Sequence, residues 1–325
     1  MKLCLAIVAG LLILHISLFA QQPVTEPLQL TCPLDGHRFT WPVPLPAERH
    51  TSTDSDLCMY RYDRYDAGRD IRIRDVVTCP HCNYTALLSR FTSTTLDEKT
   101  KARLLTALTT STYRGIQDSL AAIPAWERCR LGRICAEARG LEPSKIYDFV
   151  LLAVYALRVK STRLAYLDYP DGEFPKTLDN YAALKRRMLD ETDPAHRAQY
   201  KLELAMLAQR LGYPGERDEW LNDASKDPGT TPTLQTSIDT FRRMVKLETA
   251  FQRDLVKLYE PITLEKALPP DRRNFFTYLQ ADTLRRLGEL DQAAALFSEL
   301  RDNTSLHPSM REYMTYFVGL LKDHL

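Results

Sequence analysis

Two copies of one hexapeptide pattern narrow the folds open to this chain more than anything else in it. Thr31-Cys32-Pro33-Leu34-Asp35-Gly36 and Thr78-Cys79-Pro80-His81-Cys82-Asn83 both begin Thr-Cys-Pro. Both end in glycine or asparagine, the residues that best tolerate a positive φ. A turn of that kind brings two side chains and the neighbouring N–H groups to one point, which is the geometry of a metal knuckle. Two knuckles separated by a β-rich insert make a four-ligand, zinc-ribbon-like centre. In the first copy Asp35 stands where the second cysteine would be, so three thiols remain: Cys32, Cys79 and Cys82. Cys58 is the expected fourth ligand of a structural zinc, because thiolate suits that ion best. His37 and Asp35 itself are the alternatives. The competing reading pairs the cysteines as disulfides.

The compartment follows from the N-terminus. Lys2 is followed by an almost wholly apolar run over residues 3–19, then Ala20 and Gln21-Gln22. That is the layout of a secretory signal, with cleavage expected after Ala20 and a periplasmic or other extracytoplasmic location. The run is also about long enough to cross a bilayer, so an uncleaved anchor is the alternative. The expected division is residues 1–20 as signal, 21–91 as the cysteine module and 92–325 as an all-helical region.

Charge excludes some partners. The 325 residues carry a formal net charge of +1, with no long run of one sign. Neither a nucleic-acid groove nor an attraction to anionic membranes is indicated. Across residues 48–75 six arginines nearly balance six aspartates and one glutamate, which reads as a solvated, self-paired surface.

Within the module, Arg38-Phe39-Thr40-Trp41 and the alternating residues 71–77 have the period of half-exposed strands. The proline-rich stretch that starts at Trp41 reads as an extended connector, since each proline removes a donor. Beyond Asn83 the pattern is helical. Asp193-Pro194, Thr231-Pro232 and Glu142-Pro143 mark helix starts, and Gly140, Gly212 and Gly288 mark helix ends. The chain is therefore expected to be mainly α, with a small β-rich module in front.

The helical region contains a repeat. Ala205-Met206-Leu207-Ala208-Gln209-Arg210-Leu211-Gly212 aligns without gaps on Ala281-Asp282-Thr283-Leu284-Arg285-Arg286-Leu287-Gly288. A second helix follows each glycine, carrying Trp220-Leu221 in one copy and Leu296-Phe297 in the other. Ala281, Gly288, Ala293 and Phe297 have the spacing of the tetratricopeptide repeat, which this segment resembles. Arg217 departs from the pattern where a small residue is expected. The copies are not a clean multiple of that repeat's length apart, so the resemblance implies an irregular array.

The order of these motifs also resembles the bacterial family catalogued as domain of unknown function 2225. The residues concerned are the Cys-Pro start at 32–36, Asp54-Ser55-Asp56-Leu57-Cys58, the second knuckle with Tyr84, and the later Arg-Arg-Leu-Gly hairpin. The resemblance implies a ribbon-like start, a repeat-like remainder and a ligand-class role for Cys58. It implies no activity.

Other chemistry is thinly represented. The seven histidines do not fall at i, i+4 spacing, and no phosphate loop, dinucleotide fingerprint or Gly-x-Ser-x-Gly elbow occurs. Cys79-Pro80-His81-Cys82 matches the dithiol tetrapeptide of some periplasmic thiol–disulfide oxidoreductases, in which the first thiol is activated at a helix N-terminus. Cys129 and Cys135 read as small buried groups that do not bridge each other. Glu203, Asp239 and Asp282 read as solvated helix faces, and Tyr155 and Tyr166 as residues to follow on any concave surface. The expected function is an exported, non-enzymatic scaffold that binds a protein or peptide through its helical surface. No small-molecule substrate is evident. The alternative is a periplasmic oxidoreductase acting through Cys79 and Cys82.

Overall fold

Three short antiparallel hairpins lead into a long run of helices. The computed structural model describes residues 25–44, 50–62, 75–109, 123–162, 174–301, 306 and 308–322. The expected signal segment, Tyr166 and most of the alternating run 71–77 lie outside the described residues. Among the described residues no helix is long and apolar enough to cross a membrane.

In the module, β1 (Thr25–Thr31) pairs with β2 (Arg38–Pro44), β3 (His50–Thr53) with β4 (Met59–Tyr62), and β5 (Val76–Thr78) with β6 (Thr85–Leu87). Each sheet has two strands, so every strand is an edge and proline is tolerated. Pro27 sits directly opposite Pro42, and the stretch expected to be a connector from Trp41 onward is paired as far as Pro44. Such hairpins are marginal alone in water. Each must lean on something larger.

The helices are α1 (Leu88–Phe91), α2 (Glu98–Thr109), α3 (Ala125–Arg139), α4 (Pro143–Thr162), α5 (Phe174–Asp190), α6 (Pro194–Leu211), α7 (Pro214–Lys226), α8 (Pro232–Thr263), α9 (Pro270–Leu287), α10 (Leu290–Glu299) and α11 (Pro308–Leu320). Their ends fall where the sequence places them. The Asp193 carboxylate accepts from the N–H groups of Ala195 and His196, and the Thr231 hydroxyl accepts from Leu234 N–H. Gly140, Gly212 and Gly288 close α3, α6 and α9 in the left-handed conformation. Neighbours in sequence pack together as α3–α4, α5–α6, α6–α7 and α9–α10, and α4 lies along the long α8. Because α4 is enclosed by α3, α6 and α8, it is buried almost all round and reads as a continuous apolar run from Phe149 to Leu157. Arg158 interrupts that run and is itself fully buried.

Two apolar cores share α3. Cys129 and Ala136 join the core of α4, α6, α8 and α9, whereas Leu131 and Cys135 join the core of β1, β2, β5 and β6. The two cysteines thus sit in different cores, as small buried groups. Leu104 and Leu108 of α2 also close the module's core, while Cys58 and Val76 of the module belong to the helical one. The module and the helices therefore interlock across residue 91.

Candidate metal centre and a buried acidic turn

The turns at the tips of the first and third hairpins have the same backbone. Cys32 N–H donates to His37 O at 2.8 Å and Gly36 N–H to Cys32 O at 2.9 Å. In the second copy Cys79 N–H donates to Tyr84 O at 2.9 Å and Asn83 N–H to Cys79 O at 3.0 Å. Closing both rings requires a left-handed residue, and Gly36 (φ 75°) and Asn83 (φ 62°) supply it.

These turns bring Cys32, Asp35, Cys79 and Cys82 together, with one ligand atom from each lying within 4.8 Å of all the others. The Cys32 and Cys82 sulfurs are 3.5 Å apart, and both Asp35 oxygens lie 4.0 Å from the Cys79 sulfur. A cluster of three thiols and a carboxylate could hold one metal ion. Cys58, the expected fourth donor, is not in this group. It is fully buried in the helical core, at the end of the second hairpin's turn. The fourth position belongs to Asp35, because Asp35 shares a knuckle with Cys32 whereas Cys58 sits on a hairpin anchored elsewhere. The other alternative, His37, also lies outside the four-residue group.

The electrostatics are those of sulfurs crowded around one site. The Cys79 thiol is brought down to about 3, first by its hydrogen bond with Cys32 and then by that with Cys82. Cys32 and Cys82 are pushed up, Cys32 chiefly by its hydrogen bond with Cys79 and Cys82 chiefly by its hydrogen bond with Cys32. Burial works to raise Asp35, but the His81 imidazole at 2.7 Å and the His37 N–H at 3.0 Å outweigh it and hold the carboxyl low. His37 stacks on His81 at 5.2 Å and on Phe39 at 6.3 Å, forming an aromatic rim beside the carboxylate. All six described cysteines carry free thiols. Cys79-Pro80-His81-Cys82 lies in the β5–β6 turn and does not itself open a helix.

The second hairpin serves a different purpose. Its turn is closed by Asp54 N–H to Cys58 O and Leu57 N–H to Asp54 O, both at 2.9 Å. Leu57 has φ 67°, a conformation that costs a non-glycine residue about 1–3 kcal/mol and persists only where its surroundings enforce it. Here they do, because Asp54, Ser55 and Asp56 are inserted among the helices and are almost fully buried.

Each side chain of that turn, Asp54, Ser55 and Asp56, finds partners on the helices. Arg158 Nη1 reaches the two Asp56 oxygens at 2.9 and 2.7 Å and Asp54 at 3.5 Å. Its Nε and Nη2 bind Glu248 at 2.9 and 2.7 Å. Arg210 Nε donates to Asp54 at 3.1 Å. Arg286 and Arg285 donate to the Ser55 hydroxyl at 2.8 and 3.2 Å, and that hydroxyl lies 3.1 Å from both Asp282 oxygens. The Tyr278 hydroxyl binds Ser55 O at 2.7 Å, and the Tyr155 hydroxyl binds Asp56 O. Burial works to raise Asp56 and Asp282, but Arg158 and Arg286 at the first, and Arg285 and Arg286 at the second, hold both carboxyls below the usual range.

The repeat explains part of this chamber. Arg210 and Arg286 occupy equivalent positions in the two copies, and both address the acidic turn. Arg285 and Arg286 also cap the end of α6, donating to the carbonyls of Gln209, Arg210, Leu211 and Gly212 at 2.8–3.2 Å. These are carbonyls that a helix C-terminus leaves without intrahelical partners. Arg217, the departure from the repeat pattern, donates to the Gln209 side chain at 2.8 Å, and Gln209 donates onward to Glu248 at 2.8 Å.

Two expectations are corrected here. Asp282 is fully buried and Glu203 nearly so, and only Asp239 of the three is solvated. In the balanced segment 48–75, Asp54 and Asp56 are buried and pair with helical arginines. Tyr155 is fully buried, and its hydroxyl donates to Asp56 O. The signal for the chamber was present: a consecutive arginine pair three and four residues after an aspartate, on one face of one helix.

Comparison of the chain with protein-family models, with curated proteins and with solved structures finds no match.

Proposed function

We propose that this chain is an exported, non-enzymatic interaction protein whose N-terminal module is held by one structural zinc ion and whose helical hairpins, arranged like tetratricopeptide repeats, present a surface to a protein or peptide partner. The observation that carries the metal reading is the convergence of Cys32, Cys79, Cys82 and Asp35 on one point. A tetrahedral ion with metal–sulfur bonds of about 2.3 Å sets its sulfurs about 3.8 Å apart, close to the 3.5 Å between Cys32 and Cys82. Three soft thiolates favour zinc over magnesium or calcium. The ion would compensate for the small size of the hairpins, since a module of this kind gains folding free energy from metal binding.

The scaffold reading rests on the two helix–glycine–helix units, α6–α7 and α9–α10, which share cap geometry and buried alanines at 205 and 281. The resemblance of the motif order to domain of unknown function 2225 fits this reading and adds no activity to it. Export rests on the sequence of residues 1–20.

Metal analysis with thiol counting, on protein purified from its native compartment, tests the centre. One zinc per chain is expected, lost in Cys79→Ser and kept in Cys58→Ser. Metal-free protein with Cys32 and Cys82 oxidised would overturn it. For the scaffold, affinity capture from the cell envelope should recover a specific partner, and exchange protection should localise that partner to the helical hairpins. Protection confined to the cysteine module would refute the assignment.

A further inference from the structure

We propose that the cavity between the β6–α1 corner and α4 is a binding site for a small amphiphilic cation, an ammonium group carried on an aliphatic chain. Its volume is about 480 Å³, within the range of pockets that enclose small ligands. One side is formed by Asp75, which precedes β5, and by Leu87, Leu88 and Ser89, where β6 runs into α1. The other side is a single face of α4, because Asp148, Leu151 and Leu152 are spaced i, i+3 and i+4. None of these residues belongs to the thiol cluster, so the inference rests neither on the metal reading nor on the scaffold reading.

The walls are aliphatic. Leu87 and Leu88 are half-buried. On α4, Leu151 and Leu152 keep 8% and 7% of their surface open, whereas Val150 before them and Ala153 and Val154 after them keep 1% or less. A helix packed on its other faces thus leaves two leucines uncovered where they line the cavity. An alkyl chain laid against the four leucines gains about fourfold in affinity for each methylene it buries.

The polar groups at the cavity are of one kind. Asp75 and Asp148 bring carboxylates and Ser89 a hydroxyl, and among the described residues no lysine, arginine or histidine lines it. Asp148 also takes part in bonding within the protein, so the charge recognition falls to Asp75. Burial raises the Asp75 carboxyl above its ordinary value, whereas a cation held against it would lower it. A carboxylate beside leucines repels a fatty acid or a phosphate, and a neutral hydrocarbon would leave it desolvated and unpaired. The leucines offer a metal ion no donors. An alkylammonium meets both demands, with N–H donors at the carboxylate and methylenes along the leucines.

Isothermal titration calorimetry of the full chain, as purified, with primary alkylamines tests this. Octylamine, kept below its micellar range, should bind saturably at one site per chain. Affinity should rise about fourfold per methylene from butylamine through hexylamine to octylamine. Octanol and octanoate should bind at least about fivefold more weakly than octylamine. Asp75→Asn should weaken octylamine about fivefold, the upper value of a partly exposed ion pair, and leave octanol unchanged. Ser89→Phe, at an exposed position on the cavity wall, should fill the space and abolish octylamine binding. Absence of saturable octylamine binding would overturn the inference. So would equal losses for octylamine and octanol in Asp75→Asn, or octylamine binding undiminished in a folded Ser89→Phe. If Ser89→Phe fails to fold, the Asp75→Asn comparison decides alone. Elemental analysis of the same samples keeps a failure here distinct from a failure of the zinc reading.

Discussion

Replacing Asp56 by asparagine changes almost no volume and removes one charge from the middle of a buried, densely bonded network. In the folded protein this carboxylate accepts two hydrogen bonds from Arg158, at 2.9 and 2.7 Å, and one from Cys58 N–H at 3.3 Å, and it lies 3.6 Å from Arg286. Arg158 and Arg286 are both essentially inaccessible to solvent. Breaking a buried pair from one side costs about 3–5 kcal/mol, because the remaining charge is left without compensation. The lower end applies here, since Arg158 keeps Glu248 and Asp54 and Arg286 keeps Asp282. A loss of about 3 kcal/mol is a large share of the 5–15 kcal/mol typical of native proteins. Urea unfolding followed by far-ultraviolet circular dichroism reads it as a lower midpoint at unchanged slope. Adding Arg158→Met should cost less than the sum of the two single changes, with a coupling of about 1–3 kcal/mol. The acid limb supplies a second readout. Asp56 and Asp282 have carboxyls lowered on folding, so their contribution is complete above the unfolded value near about pH 4 and is lost as pH falls through their folded values. The wild type should destabilise steeply below about pH 4, and Asp56→Asn less steeply. A loss under about 1 kcal/mol, or an unchanged acid limb, would refute the claim that a buried charge network holds the module to the helices.

Further outcomes are expected from other positions. Asp35→Ala should weaken zinc binding and Asp35→Cys should tighten it by about tenfold or more, because thiolate replaces carboxylate at a soft site; chelator competition measures both, and equal affinities would remove Asp35 from the ligand set. Gly212→Ala should destabilise by at least about 2 kcal/mol, since the added methyl would lie 2.6 Å from Arg285 Nη2 and 2.7 Å from Arg286 Cγ in addition to the left-handed strain. Gly140→Ala has a similar φ of 69° and open space around it, so denaturation should show only the strain, about 1–2 kcal/mol. Cys58→Ser should lower stability by placing a hydroxyl in the helical core while leaving bound zinc unchanged by elemental analysis.

The sequence by itself determined the local features: the two knuckles, the helix starts at Pro194 and Pro232, the ends at Gly140, Gly212 and Gly288, and the shift from strands to helices. Each is set by a residue's own backbone preference, which needs no partner to be legible. The sequence also singled out Cys32, Cys79 and Cys82 as thiols that belong together. Only the tertiary structure decided that Asp35 and not Cys58 stands fourth. Donor chemistry ranks thiolate above carboxylate, but which donor arrives depends on where each hairpin is anchored, and the hairpin bearing Cys58 is anchored among the helices. The same holds for Asp54, Asp56 and Asp282. As isolated letters in a chain of balanced charge they read as solvated. Asp282 meets Arg285 and Arg286 of its own helix, but Asp54 and Asp56 are buried because arginines more than a hundred positions away, on helices that meet only in the folded state, neutralise them. A buried ion pair requires both partners to leave water together, and no local pattern in the sequence records that pairing.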